Sequence, residues 1–344
     1  MFSVISSISI RGIAASVPKN TEDNYVLFAA DEAKYAQMQK TLGIRFRPIA
    51  LQSLCASDLC VDAAQNLLDN LSVDVKKIDV LIFVSQTHDH IIPGSATQIH
   101  NRLGMKKSSI ALDINQGCAG YVYGLSVISS MMRAMNLKKG LLLVGDTISK
   151  TIRPDDTTLR PVFADAGSAT FLELNNQAAD MQFSFGTDGS QYQAIHIPDG
   201  GAKTNFEYSR EKGRKEPSCF LNMNGHSVFT FGLTTVVNSI KNLLQETHTS
   251  VESIDFAVFH QANKLLLQSI GKQLGIKESK VPYSLYNFGN TSSATIPLTI
   301  VNEIPQDCFK EKRKLLLSGF GVGLSWANTL IEVKDLVLPL IRKI

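Results

Sequence analysis

The chain has 344 residues, 44% of them hydrophobic and 19% charged, with a formal net charge of +3. That is enough apolar material for a large core in two units or one duplicated unit, and the mild positive balance gives no ground for a nucleic-acid partner. The longest apolar runs, such as LLLVG at 141–145, are far too short to span a bilayer.

The N-terminus, MFSVISSISIRG (1–12), has no early basic cluster and no small-residue cleavage site, so it reads as a first strand and not as a signal peptide. A second apolar run, IDVLIFVSQTH (78–88), leads into His88, Asp89 and His90. No third ligand cluster accompanies that triplet, and loop polarity is preferred to a metal site. SSIALDI (108–114) is a strand candidate. After it Tyr121, Leu125, Ile128, Met132 and Met135 recur at helical spacing and predict one buried helix face. KKGLLLVGD (138–146) and GSATFLEL (167–174) continue the strand pattern, and the charged stretch EYSREKGRKEP (207–217) predicts a solvated loop. IDFAVFHQAN (254–263) ends a strand and opens a helix with Leu266, Leu267, Ile270 and Leu274 on one face. KRKLLLSGFG (312–321) and GLSWANTLIEV (323–333) are the last strands before the tail VKDLVLPLIRKI (333–344). GFGVG (319–323) lacks the GxGxxG spacing, which argues against nucleotide binding. The tail is apolar enough to cover surface of its own chain or of a partner.

Alternating strand and helix patterns place the chain in the α/β class. The segments 78–88, 138–146 and 167–174 resemble 254–263, 312–321 and 323–333, in the same order. Three weak matches in one order predict a duplicated α/β unit, with residues 1–175 as one half, 176–344 as the other, and a site between them. The cysteines, Cys55, Cys60, Cys118, Cys219 and Cys308, are scattered and odd in number. A disulfide framework is not expected, and a reducing cytoplasm suits them.

Cys118 stands in DINQGCAGYVYGL (113–125), between Gly117 and Gly120, where a strand must turn sharply into a helix. Unpaired amides at that helix start would favour a thiolate, lowering the thiol from its free pKa of roughly 8.5 and activating a nucleophile. By itself the motif is also what a small residue packing at a helix start looks like. His260 ends the apolar run DFAVF, and Asn290 sits in NFGNTSSATIPL (287–298). A lone histidine there could be a satisfied core or turn residue, and a Gly- and Asn-rich segment could be only a turn. Together, a sulfur nucleophile, an imidazole and a carboxamide form a catalytic set.

DINQGCAGYVYGL, HQAN, GNTSSATIPL and GFGVGLSWA, in this order, resemble the signature segments of the β-ketoacyl-acyl carrier protein synthase III family, as do GIRFRPIA (43–50) and VFADAGSATFLE (162–173). The resemblance implies a thiolase-like fold, duplicated as five αβαβα layers, and a homodimer. It implies a triad of Cys118, His260 and Asn290, with an oxyanion held by the backbone N–H groups of Cys118 and Val322. It implies decarboxylative condensation, in which an acyl group on Cys118 joins a malonyl unit delivered by acyl carrier protein. His260 and Asn290 would then donate to the enolate oxygen, with Phe320 as an apolar wall. It implies acyl-coenzyme A or acyl carrier protein thioesters as the substrates, with no cofactor and no metal. Lys264 is the candidate contact to the carrier or to coenzyme A. The aromatic and arginine positions that hold coenzyme A in the family fall near Gln37, Thr41 and Thr157, which cannot stack or pair in the same way, so the donor is not expected to be held in the usual manner, and a specialised pathway or a carrier-bound donor is open.

A papain-like protease also uses Cys, His and Asn in that order, but its cysteine lies near the mature N-terminus in a different signature. A same-fold acyltransferase passing the acyl group to an alcohol or amine, without loss of CO₂, is the main alternative. A non-catalytic homologue or pairing subunit is opposed by the intact triad.

Overall fold

The computed structural model describes residues 1–28, 31–204 and 218–344. The stretch 207–217, expected as a solvated loop, lies outside the described residues.

In chain order the strands are β1 (Phe2–Ile5), β2 (Ile8–Val17), β3 (Thr21–Asp23), β4 (Phe46–Pro48), β5 (Val80–Val84), β6 (Ile110–Ile114), β7 (Lys139–Asp146), β8 (Ala166–Leu174), β9 (Met181–Thr187), β10 (Ile195–His196), β11 (Asn222–Met223), β12 (Phe256–Phe259), β13 (Arg313–Gly321), β14 (Ser325–Val333) and β15 (Arg342–Lys343). One large sheet has the order β15-β2-β8-β7-β5-β6 and the other β1-β9-β14-β13-β12. β5 lies parallel to β7, and β12 lies parallel to β13. β7 and β13 pair antiparallel with β8 and β14, which pair antiparallel with β2 and β9. The three pairs of echoing segments fall on β5 and β12, β7 and β13, and β8 and β14. One α/β pattern therefore occurs twice.

The chain ends depart from that repeat. The N-terminal segment, expected as one strand, is two strands in different sheets: β1 pairs with β9, and β2 pairs with β8. Ser7, at φ 66°, turns the backbone between them. The C-terminal tail covers its own chain. Val337 accepts from Ile13 N–H and donates to Arg11 O, both at 3.0 Å, and β15 extends the pairing along β2. Leu336 and Leu338 are buried beneath it. The outer edge of β2 thus gains partners in place of exposed N–H and C=O groups.

Side-chain alternation assigns the layers. On β7, Leu142 and Val144 face a central cluster, whereas Leu141 and Leu143 face helices Ala56–Leu71 and Ser95–Leu103. On β13, Leu315 and Leu317 face the centre, whereas Leu316 and Phe320 face helices Val237–Glu246 and Lys264–Leu274. Helices Gly120–Ala134 and Thr295–Glu303 fill the central layer. The order is helix, sheet, helix, sheet, helix, the αβαβα arrangement of thiolase-like proteins. Strands covered on both faces are apolar throughout, which is why VLIFV and LLLVG read as unbroken runs. Each fully buried aliphatic side chain there contributes about 1.5–3 kcal/mol.

Tyr121, Leu125, Ile128 and Met132 are fully buried, as the spacing predicts, but Met135 is 54% exposed. The helix ends at Ala134, so Met135 is its cap and emerges past the last packed turn. Among the described residues no helix is long and apolar enough to cross a membrane.

Candidate active site

Cys118 follows β6 in a turn closed by Gly120 N–H donating to Gly117 O at 2.6 Å, just ahead of helix Gly120–Ala134. The C-terminal end of β13 passes directly over it. At Gly321 an added Cβ would lie 2.7 Å from both Cβ and Sγ of Cys118, so only glycine permits that approach. The backbone N–H groups of Val322 and Cys118 and the side chain of Ser292 all favour the thiolate. Burial opposes them and wins, pushing the thiol up to about 11. The expectation of a lowered pKa is therefore overturned in the unliganded site. Removing water from the sulfur costs the charged form more than a few amide dipoles return.

His260 follows β12, with its N–H on Ser318 O at 2.8 Å. Its Nδ1 lies 2.8 Å from Thr295 Oγ1, and its ring meets Phe320 edge-on at 5.6 Å. Burial drives its pKa down to about 3, so the ring is neutral at physiological pH.

Asn290 is sewn to the segment 162–164 by an isolated bridge: it donates to Val162 O, and its own carbonyl accepts from Ala164 N–H, both at 2.9 Å. Its Oδ1 accepts the N–H of Ser292 at 2.9 Å. A backbone N–H needs the amide oxygen, so Nδ2 is left as the free donor. Behind it lies Arg47, 1% exposed, from the GIRFRPIA segment. Its guanidinium donates to Phe163 O at 3.1 Å, Asn24 Oδ1 at 2.8 Å and Glu22 Oε2 at 2.6 Å. Asp146, at the end of β7, ties together two stretches distant in sequence. One carboxylate oxygen takes Gln86 N–H at 2.8 Å, and the other takes Ser293 Oγ at 2.6 Å.

Cys118, His260 and Asn290 line one cavity of about 230 Å³, together with Gln86, Ser292, Phe320, Gly321 and Val322. Its remaining walls are mostly apolar, among them Leu221, Met223, Phe229 and Leu266. No carboxylate and no cation lines it among the described residues. Each residue singled out for the chemistry thus reaches the cavity except Lys264. That side chain is exposed at the start of helix Lys264–Leu274, between the lining residues Asn263 and Leu266. The HDH triplet lies elsewhere: His88 faces Asp113 at 3.8 Å, and Asp89 accepts from Ser57 Oγ at 2.6 Å. Sequence reasoning missed Gln86, Asp146, Ser292 and Thr295. The signal for the last two was the small, mostly polar run TSSAT, which is buried throughout.

Family descriptions of 3-oxoacyl-(acyl-carrier-protein) synthase III match residues 112–189, and those of its C-terminal part match 244–333. A Campylobacter jejuni protein named as a candidate 3-oxoacyl-(acyl-carrier-protein) synthase 3 is 34% identical, covering 95% of this chain and 94% of its own. The beta-ketoacyl-(acyl-carrier-protein) synthase III of Clostridium perfringens is 30% identical, covering 94% and 98%. The crystal structure of a 3-oxoacyl-(acyl-carrier protein) synthase from Burkholderia xenovorans LB400 superposes with a TM-score of 0.94 at 33% identity, covering 100% of this chain and 99% of its own. With the thiolase-like layers already described, these likenesses establish that the chain belongs to the 3-oxoacyl-(acyl-carrier-protein) synthase III family of acyl-transferring condensing enzymes.

Proposed function

We propose that this protein takes an acyl group from a thioester onto Sγ of Cys118 and condenses it with a malonyl unit on acyl carrier protein. In the first half-reaction Sγ attacks the acyl carbonyl. The oxyanion is met by the N–H groups of Cys118 and Val322, and the donor leaves as a thiol carrying the proton from Cys118. In the second, the malonyl C–CO₂ bond breaks and its electron pair becomes an enolate, whose oxygen accepts hydrogen bonds from His260 Nε2 and Asn290 Nδ2. The carbanion attacks the acyl carbon, the C–S bond breaks with its electron pair on sulfur, Cys118 regains a proton from water, and CO₂ and a β-ketoacyl thioester on the carrier leave. No cofactor takes part in this scheme.

The observation that carries the reading is the common cavity of Cys118, His260 and Asn290, in which the Asn290 carboxamide is turned to donate. Two preorganised neutral donors suit an enolate formed in a dry site. Phe320, edge-on to His260, supplies an apolar wall that disfavours the carboxylate about to leave. Among the described residues no carboxylate lines the cavity to deprotonate an acceptor alcohol or a methyl thioester, which weighs against the non-decarboxylating alternative.

Lys264, exposed between two lining residues, is the proposed contact to the carrier or to coenzyme A. Gln37, Thr41 and Thr157 stand where stacking and pairing groups would hold coenzyme A, which supports a carrier-bound donor. A homodimer in a reducing cytoplasm is proposed for the working form, and the five free cysteines fit that compartment. The sequence repeat supports 1–175 and 176–344 as the two halves. The test is intact-mass acylation of wild type and Cys118→Ala with paired coenzyme A and carrier thioesters, followed by malonyl-acyl carrier protein. A mass shift in wild type alone, with CO₂ released only on malonyl addition, is the expected result. Faster loading from coenzyme A would overturn the donor assignment, and loading of Cys118→Ala would overturn the nucleophile.

A further inference from the structure

We propose that Thr295 holds the imidazole of His260 in the tautomer with its proton on Nε2, so that the ring meets each enolate as a donor. This rests on the condensing role proposed for His260. Thr295 does not line the cavity and acts only through the ring, so it is a positioning residue.

A neutral imidazole has one N–H. For His260 to donate into the cavity, that proton must sit on Nε2, and Nδ1 must then accept. The side chain at Nδ1 is Thr295, its Oγ1 2.8 Å away, and Thr295 is 1% exposed. The hydroxyl has one proton and two acceptors in reach, Nδ1 and Ser292 O at 3.1 Å. Two arrangements are open without moving a heavy atom. In one, Thr295 donates to Nδ1 and Nε2–H points at the substrate. In the other, Nδ1–H donates to Thr295, Thr295 donates to Ser292 O, and Nε2 turns a lone pair toward the growing negative charge.

The donor role proposed for His260 requires the first, and the structure permits it. Ser292 O already accepts the backbone N–H of Thr295, so turning the hydroxyl away leaves no buried carbonyl unpaired. Without the hydroxyl, Nδ1 would become an orphaned buried acceptor, at the cost of a lost hydrogen bond. With that acceptor unpaired, the ring would favour the proton on Nδ1. That is the tautomer unable to donate into the cavity.

The test compares Thr295→Val, which keeps the shape and loses the hydroxyl, with Thr295→Ser, which restores it. ¹⁵N spectra of histidine-labelled unliganded protein, assigned by the signals lost in His260→Ala, report the tautomer directly. Wild type and Thr295→Ser should show the proton on Nε2, and Thr295→Val should show it on Nδ1. In the reaction, Thr295→Val should load Cys118 as wild type does yet condense about 10²–10³-fold more slowly, the loss of one such donor, and Thr295→Ser should recover most of the rate. A wild-type ring protonated on Nδ1 overturns the proposal. So does a Thr295→Val enzyme condensing at the wild-type rate, or a Thr295→Ser enzyme as slow as Thr295→Val. If Thr295→Val fails to fold, the wild-type and Thr295→Ser spectra still decide. If wild type neither loads Cys118 nor releases CO₂, the function is wrong, while the tautomer stands or falls on the spectra.

Discussion

Replacing Asn290 by Asp separates the two duties of that carboxamide. Its oxygen braces the loop by accepting Ser292 N–H at 2.9 Å, and its Nδ2 is the donor offered to the cavity. Aspartate is the same shape and still accepts from Ser292, so the brace survives. It has no N–H to give, and its charge would face the enolate at close range. Loss of one preorganised donor costs about 10²–10³ in rate, roughly 2.7–4 kcal/mol of barrier, and repulsion from the carboxylate adds to that. Alanine removes donor and brace together. It should show the same kinetic loss plus about 1–3 kcal/mol of stability, because the buried Ser292 N–H is orphaned. The assay loads Cys118 with an acyl thioester, measures that rate by intact mass, then adds malonyl-acyl carrier protein and follows CO₂ and product. Both variants should load like wild type and stall at condensation, and Asn290→Ala should melt early. An Asn290→Asp enzyme that condenses within tenfold of wild type would show that the carboxamide is not an enolate donor.

Arg47→Met should destabilise the fold by about 1–3 kcal/mol in urea, the cost of orphaning a buried acceptor, because Phe163 O and Asn24 Oδ1 lose a donor while Glu22 keeps Arg160; an unchanged midpoint would refute the bracing role. Glu22 is desolvated, which raises its pKa, but its bonds to Arg160 and Arg47 pull it below 4.5 overall. Its folded value is depressed, so its contribution is present above pH 4.5 and is lost as the pH falls through the folded pKa, and that acid sensitivity should shrink in Arg47→Met. Gly321→Ala should abolish acylation, since its Cβ would sit 2.7 Å from Sγ of Cys118; normal loading would mean that β13 can retreat. Burial lifts the Cys118 thiol to about 11, so alkylation of the free enzyme should rise about tenfold per pH unit up to that value. A plateau near pH 8 would contradict the desolvated site.

Much of this molecule was legible in one dimension. Apolar runs such as VLIFV and LLLVG carry the doubly covered strands, because a strand buried on both faces leaves no polar position to break the run. The repeat shows in Ile-Asp starts and Gly-rich ends, because equivalent strands face equivalent neighbours. The glycines around Cys118 mark the tight turn, because backbone must pass there where a side chain cannot. What the linear order could not disclose was anything set by partners far away in sequence. The N-terminal twelve residues divide between two sheets because Ser7 turns the chain, and the 333–344 tail returns to cover β2 because Leu336 and Leu338 find burial there. The same holds for the pKa of Cys118. A helix start suggested a thiolate, but its electrostatics depend on how much water the strand bearing Gly321 excludes. Arg47, Asp146, Ser292 and Thr295 gain meaning only where folding brings their hydrogen bonds together, since a donor and an acceptor have no consequence until packing removes the water that would otherwise satisfy both.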